Sequence, residues 1–118
     1  TQAVLEGVAF AIRDSVEVAR SLGIDIHASK ICGGGAKSPL WKKMIANILN
    51  VELECLECEQ GPGMGGAMLA MVACGAYETV QAACDAIVRV RTRVIPEPEL
   101  AARYENRYRQ LFAELAKE

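Results

Sequence analysis

Ala28-Ser29-Lys30-Ile31-Cys32-Gly33-Gly34-Gly35-Ala36-Lys37-Ser38-Pro39 is the stretch on which the fold turns. Residues 28–32 read as a short strand that runs into three glycines, and a helix opens immediately afterwards. Ser38 suits the N-cap, where its hydroxyl accepts a hydrogen bond from a first-turn N–H, and Pro39 suits the first helical position. Trp41, Ile45, Ile48 and Leu49 then share one face of a helix from Pro39 to about Leu49. A strand that ends in glycines and feeds a helix predicts an α/β arrangement.

The flanks fit that arrangement. Upstream, residues 2–22 read as an amphipathic helix with Leu5, Val8, Ile12, Val16 and Ala19 on its apolar face, ended by Gly23. Downstream, Val51, Leu53 and Cys55 alternate with Glu52, Glu54 and Leu56, which predicts a second strand. Residues 60–63 read as a turn, Met64 to Ala73 as a small-residue helix closed by Gly75, and residues 79–87 as a short helix. An irregular or extended stretch carries Arg89, Arg91 and Arg93. Pro96 and Pro98 precede a last helix striped by Leu100, Tyr104, Tyr108, Leu111 and Leu115. Two strands make a thin sheet. That thinness and the non-Met residue Thr1 lead to the expectation that this is an excised piece with further sheet upstream.

Composition narrows the class. The 118 residues are 52% hydrophobic and 24% charged, enough for one compact domain and too few for two. A net charge of -2 gives no long-range attraction to nucleic acid or an anionic membrane. No apolar run reaches the roughly 18 residues of a spanning helix, and no signal peptide is visible. Five cysteines, an odd number, favour reduced thiols and a cytoplasmic setting.

Several motifs bear on chemistry. Gly33-Gly34-Gly35 before a helix exposes backbone N–H groups that suit phosphate or ribose oxygens, and it serves equally well as a plain tight turn. It is not a Walker A loop, because Ile31 and Ala36 stand where glycines are required. Gly61-Pro62-Gly63-Met64-Gly65-Gly66 matches the dinucleotide fingerprint, yet the strand before it carries Glu52 and Glu54, with Glu57 and Glu59 following. A dinucleotide fold wants that strand apolar, so tight helix packing is the better reading. Cys55 and Cys58 form a Cys-x-x-Cys pair without the further ligands zinc needs. His27, the sole histidine, has no nucleophile to serve. The alternating arginines read as a solvated edge rather than a nucleic-acid site, and Tyr104 and Tyr108 as helix packing.

Four blocks in order carry a family resemblance: Ala3 to Asp14, Gly33 to Ala46, Gly61 to Ala70, and Tyr104 to Tyr108. They resemble the C-terminal domain of the FGGY-type carbohydrate kinases, and most of all its xylulose-phosphorylating branch. The resemblance implies part of an actin-like, ribonuclease H-like ATPase domain with few strands and several packed helices. It implies that residues 1–118 are a single domain, the C-terminal portion of the family's C-terminal domain. ATP then lies in a cleft between two domains, with the sugar and the catalytic Asp on the N-terminal one and Mg²⁺ on the phosphates. Carried onto this chain, Gly34, Gly35 and Ala36 line the adenosine and α-phosphate site, and Ser38 sits beside the ribose or adenine. Pro39 replaces an Asn found in some relatives, which removes one amide contact. The phosphate hairpins are expected elsewhere, so the chain is expected to hold only the nucleoside end, to be inactive alone and to self-associate. A non-catalytic nucleotide-binding module of the same superfamily, a kinase for glycerol, gluconate or ribulose, and a dinucleotide-binding oxidoreductase fragment are the competing readings.

Overall fold

The computed structural model of the chain describes residues 1–57 and 61–115. The elements are α1 (Gln2–Ser21), β1 (Ala28–Ile31), a 3-10 turn (Gly34–Lys37), α2 (Pro39–Leu49), β2 (Glu52–Leu56), α3 (Gly61–Ala73), α4 (Val80–Ile87) and β3 (Val90–Val94). The last helix is continuous, made of α5 (Pro98–Arg107), a π-helical turn (Tyr108–Phe112) and α6 (Ala113–Leu115).

β1 and β2 run parallel, with Ala28 opposite Glu52 and Ile31 opposite Cys55, and α2 is their crossover. β3 returns antiparallel to β2, with Leu53 opposite Val94 and an irregularity between Cys55 and Leu56. Among the described residues the sheet therefore has three strands in the order β1-β2-β3, where the sequence pattern predicts two. The stretch read as irregular is a strand because Val90, Thr92 and Val94 are β-branched at alternate positions and fit a pleated surface. Nor is Arg93 a merely solvated edge. It reaches Glu52 at 3.4 Å and Glu54 at 3.1 Å, and Lys30 meets Glu54 at 3.4 Å from β1. These cross-strand pairs neutralise the acidic face of β2.

The other face of β2 presents Leu53 and Cys55 to the core. There α2 buries every residue from Met44 to Leu49, because α1, the sheet and α5 surround its second half. The carbonyls at the end of α2 have no intrahelical partners. Two arginines of α1 supply donors: Arg13 Nη1 reaches the Ile48 carbonyl at 2.9 Å and Arg20 Nη2 the Leu49 carbonyl at 3.2 Å. Asn50 then takes the left-handed conformation that ends the helix, φ 51°. Buried Asn47 accepts the Glu97 N–H through Oδ1 at 2.7 Å, which fixes the approach to α5.

Two expected stripes are displaced. On α1 the residues turned inward are Leu5, Ala9, Phe10, Arg13 and Val16, whereas Val8 and Ile12 are exposed. Phe10 sets this rotation by packing on Tyr104, Tyr108 and Phe112, with ring centroids 5.5–6.2 Å away. On the last helix the π turn inserts an extra residue per turn, so Phe112 follows Tyr108 into the core and Leu111 and Leu115 face outward. The two tyrosines pack between helices, as expected of them. Among the described residues no helix is long and apolar enough to cross a membrane, and Cys32, Cys55, Cys74 and Cys84 are free thiols. Cys58, the second member of the Cys-x-x-Cys pair, lies outside the described residues, as do Glu59 and Gln60.

Candidate functional site

The parallel pair β1 and β2 directs its carboxyl ends to one side of the molecule, the side on which open α/β sheets bind ligands. There Gly33 turns the chain out of β1 at φ 88°, a conformation that costs glycine little and other residues more. Gly34 to Lys37 then wind into a single 3-10 turn, closed by the Ala36 N–H on the Gly33 carbonyl at 3.1 Å and the Ser38 N–H on the Gly35 carbonyl at 3.2 Å. Ser38 caps α2 through its hydroxyl, which accepts the Trp41 N–H at 3.3 Å. The Trp41 ring lies against Gly35, where a Cβ would stand 3.0 Å from Cδ1 and Nε1 of the indole. Glycine at 35 is thus what allows the turn to sit on the helix it precedes.

A cleft of about 360 Å³ opens beside this turn. Gly33, Ala36 and Lys37 form one wall, Lys42 of α2 another, and Leu56 of β2 with Arg91 of β3 a third. Among the described residues its lining holds three cationic side chains and no carboxylate. Of the residues expected to bind the nucleoside, Ala36 lines the cleft. Gly34, Gly35 and Ser38 are exposed on the same turn but are not part of that lining. Arg91 and Lys42 were not singled out for this site in the sequence. The alternation of Arg89, Arg91 and Arg93 was visible there, but only the pairing of β3 with β2 brings Arg91 to the glycine turn.

The second glycine segment departs from expectation. Residues 61–63 were read as part of a turn, and the helix begins at Gly61. Its first turn lies against the end of β1, with a Cβ at Gly61 standing 3.3 Å from the Cys32 Sγ. The two glycine segments, separate in sequence, meet at this point, but the tight helix packing expected of the second holds at Gly61 alone: among the described residues a Cβ at Gly63, Gly65 or Gly66 would have no neighbour within 4 Å. His27 is exposed and pairs with Asp25 at 2.7 Å, away from the cleft lining. Among the described residues no group of three or more His, Cys, Asp or Glu side chains is placed to hold a metal ion. A separate cleft of about 380 Å³, largely apolar, lies between α1, α2 and α5 around Leu5, Leu40, Met44 and Tyr104.

Comparison with known proteins decides the family. The model of the FGGY family of carbohydrate kinases, C-terminal domain, matches residues 1–74. The chain belongs to this family. It is 35% identical over 107 residues to a xylulose kinase of Staphylococcus epidermidis, covering 91% of this chain and 22% of that protein. It is 32% identical over 115 residues to a ribulokinase of Halalkalibacterium halodurans, covering 92% and 20%. Among solved structures, gluconate kinase from Lactobacillus acidophilus superposes with a TM-score of 0.86 at 24% identity, over 98% of this chain and 23% of that one. Ligand-bound xylulose kinase from the same organism gives 0.80 at 26%, also over 98% and 23%. The mixed sheet with several packed helices is therefore the α/β fold of the FGGY sugar kinases, the actin-like, ribonuclease H-like class. The chain spans between a fifth and a quarter of the length of these relatives.

Proposed function

We propose that residues 1–118 are the C-terminal portion of the C-terminal domain of an ATP-dependent FGGY sugar kinase, and that they contribute nucleotide binding to it. The complete protein transfers the γ-phosphate of ATP to a hydroxyl of D-xylulose, in the cytoplasm. One observation carries this reading: a glycine turn at the carboxyl ends of two parallel strands opens on a cleft whose lining, among the described residues, holds cations and no carboxylate. Backbone N–H groups of Gly34, Gly35 and Ala36 meet ribose and α-phosphate oxygens, Ser38 stands beside the nucleoside, and the cations offset phosphate charge.

Phosphoryl transfer needs positioning, charge neutralisation and a base for the attacking hydroxyl. This chain serves the first two. The described residues lining the cleft include no carboxylate, so the donor set does not fit Mg²⁺, and neither the ion nor the base is assigned to them. The base and the sugar site belong to the N-terminal domain of the complete enzyme. D-xylulose is chosen over D-ribulose, gluconate and glycerol because xylulose kinases recur among the relatives.

The test compares ATP-dependent phosphorylation of these four substrates by the complete protein with that by residues 1–118 alone. D-xylulose is expected to give the highest kcat/KM, and the 118-residue chain no turnover. Turnover by that chain alone overturns the division of labour. Absence of phosphorylation of all four by the complete, folded protein overturns the proposed substrate class. In a nucleotide titration followed by backbone amide shifts, changes at Gly33–Ser38 support the site, and changes confined to Gly61–Gly66 count against it.

A further inference from the structure

Three glycines make the turn after β1, and at only one of them does a side chain, among the described residues, stand where a Cβ would go. A Cβ at Gly33 or Gly34 would have no neighbour within 4 Å, and Gly33 is set instead by its φ of 88°. Gly35 has no positive φ, so its backbone admits any residue. Yet a Cβ there would stand 3.0 Å from both Cδ1 and Nε1 of the Trp41 indole. The backbone bonds across the turn close it on itself, from the Ala36 N–H to the Gly33 carbonyl and from the Ser38 N–H to the Gly35 carbonyl. Such local bonds fix the shape of the turn and leave its height above α2 free. Trp41 ties down what they leave. Its amide donates to the Ser38 hydroxyl at 3.3 Å, its ring packs partly buried against the core, and the pyrrole edge of that ring meets the turn. An indole is a rigid plane on two rotatable bonds, so a ring seated in the core cannot give way as the tip of a flexible chain would.

We infer that Trp41 is a positioning residue for the nucleotide: its indole edge sets the height of residues 34–36 over the start of α2, and with it the aim of the backbone N–H groups that meet ribose and α-phosphate. The inference rests on the nucleotide-binding reading and deepens it. Trp41 is not part of the cleft lining and acts through Gly35. Donors held by a packed side chain lose little freedom when a ligand arrives, and that pre-organisation shows as affinity. It also gives glycine at position 35 a reason that backbone conformation does not supply. In the sequence Trp41 reads only as part of the apolar face of α2.

The experiment measures equilibrium ATP binding to the complete protein as wild type, Gly35→Ala, Trp41→Ala and the double variant, with the midpoint of chemical denaturation alongside. Gly35→Ala is expected to weaken ATP about tenfold, the order of one hydrogen bond, with little change in the midpoint. The exposed turn gives way there and the seated ring does not. Trp41→Ala should weaken ATP to a similar degree. In that background the added methyl at position 35 has room, and Gly35→Ala should cost no more than about twofold further. Trp41→Phe, which keeps a flat ring in the same place, should retain most of the affinity. Should Trp41→Ala fail to fold, Trp41→Leu takes its place with the same expectations, since its flexible tip can move off the methyl. Unchanged ATP affinity on loss of the ring overturns the inference and leaves the nucleotide site standing. So does a Gly35→Ala penalty that is the same with and without the ring. Loss of affinity only in variants whose denaturation midpoint falls also overturns it, since it marks a structural role. If the wild type binds no ATP, the nucleotide-binding reading itself falls.

Discussion

Arg13 is the residue on which the helical half of the molecule converges. It is 3% exposed, and its guanidinium meets the Ile48 carbonyl, the Glu17 and Glu105 carboxylates, and the face of Tyr108 at 4.4 Å. Those contacts belong to α1, α2 and the last helix. Burial alone would raise the Glu105 carboxyl, but hydrogen bonds from Arg13 and Arg109 outweigh it and hold the group below the usual carboxylate range. Truncation at Arg13 leaves the Ile48 carbonyl and a half-buried carboxylate short of a donor. Arg13→Ala should therefore cost about 2–4 kcal/mol of stability. Arg13→Lys should cost less, since it keeps the charge and loses the fork. Chemical denaturation of the two variants checks this, and equal stabilities would mean that the retained charge contributes nothing without the guanidinium fork. In the sequence Arg13 reads as an ordinary polar residue, because its partners lie as far as 92 positions away.

The last helix is joined to α1 by phenol-carboxylate bonds as well as by packing. Tyr108 donates to Asp14, and Tyr104 donates to Glu6 at 3.2 Å. Burial, then the hydrogen bond and charge of Asp14, push the Tyr108 phenol up to about 12. Burial, then the charge of Glu6, raise Tyr104 as well. An unfolded tyrosine ionises near 10. Between about 10 and 12 the folded state thus binds more protons than the unfolded one, and stability falls as pH rises through that window. Below about pH 10 the full contribution is present. Denaturation midpoints should decline across the window, and Tyr108→Phe should flatten the decline. A slope unaltered by that change would remove Tyr108 as its origin. At this scale much of the sequence was legible. Ser38-Pro39 announced α2, and its apolar face lies where the spacing put it. What was not legible came from partners far along the chain. The rotation of α1 depends on Phe10 meeting rings nearly 100 residues later. The place of β3 beside β2 is tied by Arg93 to Glu52 and Glu54, a pairing that the local pattern of β3 does not reveal. The start of α3 at Gly61 lies against Cys32, where a Cβ would stand 3.3 Å from the sulfur.

Over the whole molecule, burial is lopsided. The core gathers α1, α2, β2 and the last helix, whereas α3 and α4 pack mainly on each other and bury only Met68 and Ala83. On α1, Val4, Val8 and Ile12 stand four residues apart and are 69%, 49% and 40% exposed, which makes an apolar stripe on the side away from Phe10. β1 is an edge strand with every residue from Ala28 to Lys30 exposed. An open strand edge and an unpaired apolar helix face are the two features that draw copies of a chain together. Residues 1–118 on their own should therefore self-associate as concentration rises, with the mean mass in sedimentation equilibrium climbing above 12.7 kDa. Val8→Lys and Ile12→Lys together place two cations on the stripe without touching the core, and they should return the mass toward that of one chain. If association persists in the double variant, the β1 edge is the surface responsible, and Lys30→Pro, which removes a backbone donor on the open side of β1, is then the change that should abolish it. A wild-type chain that stays monomeric at every concentration would show that both surfaces tolerate water, and that exposure of this extent is no guide to what the chain packs against.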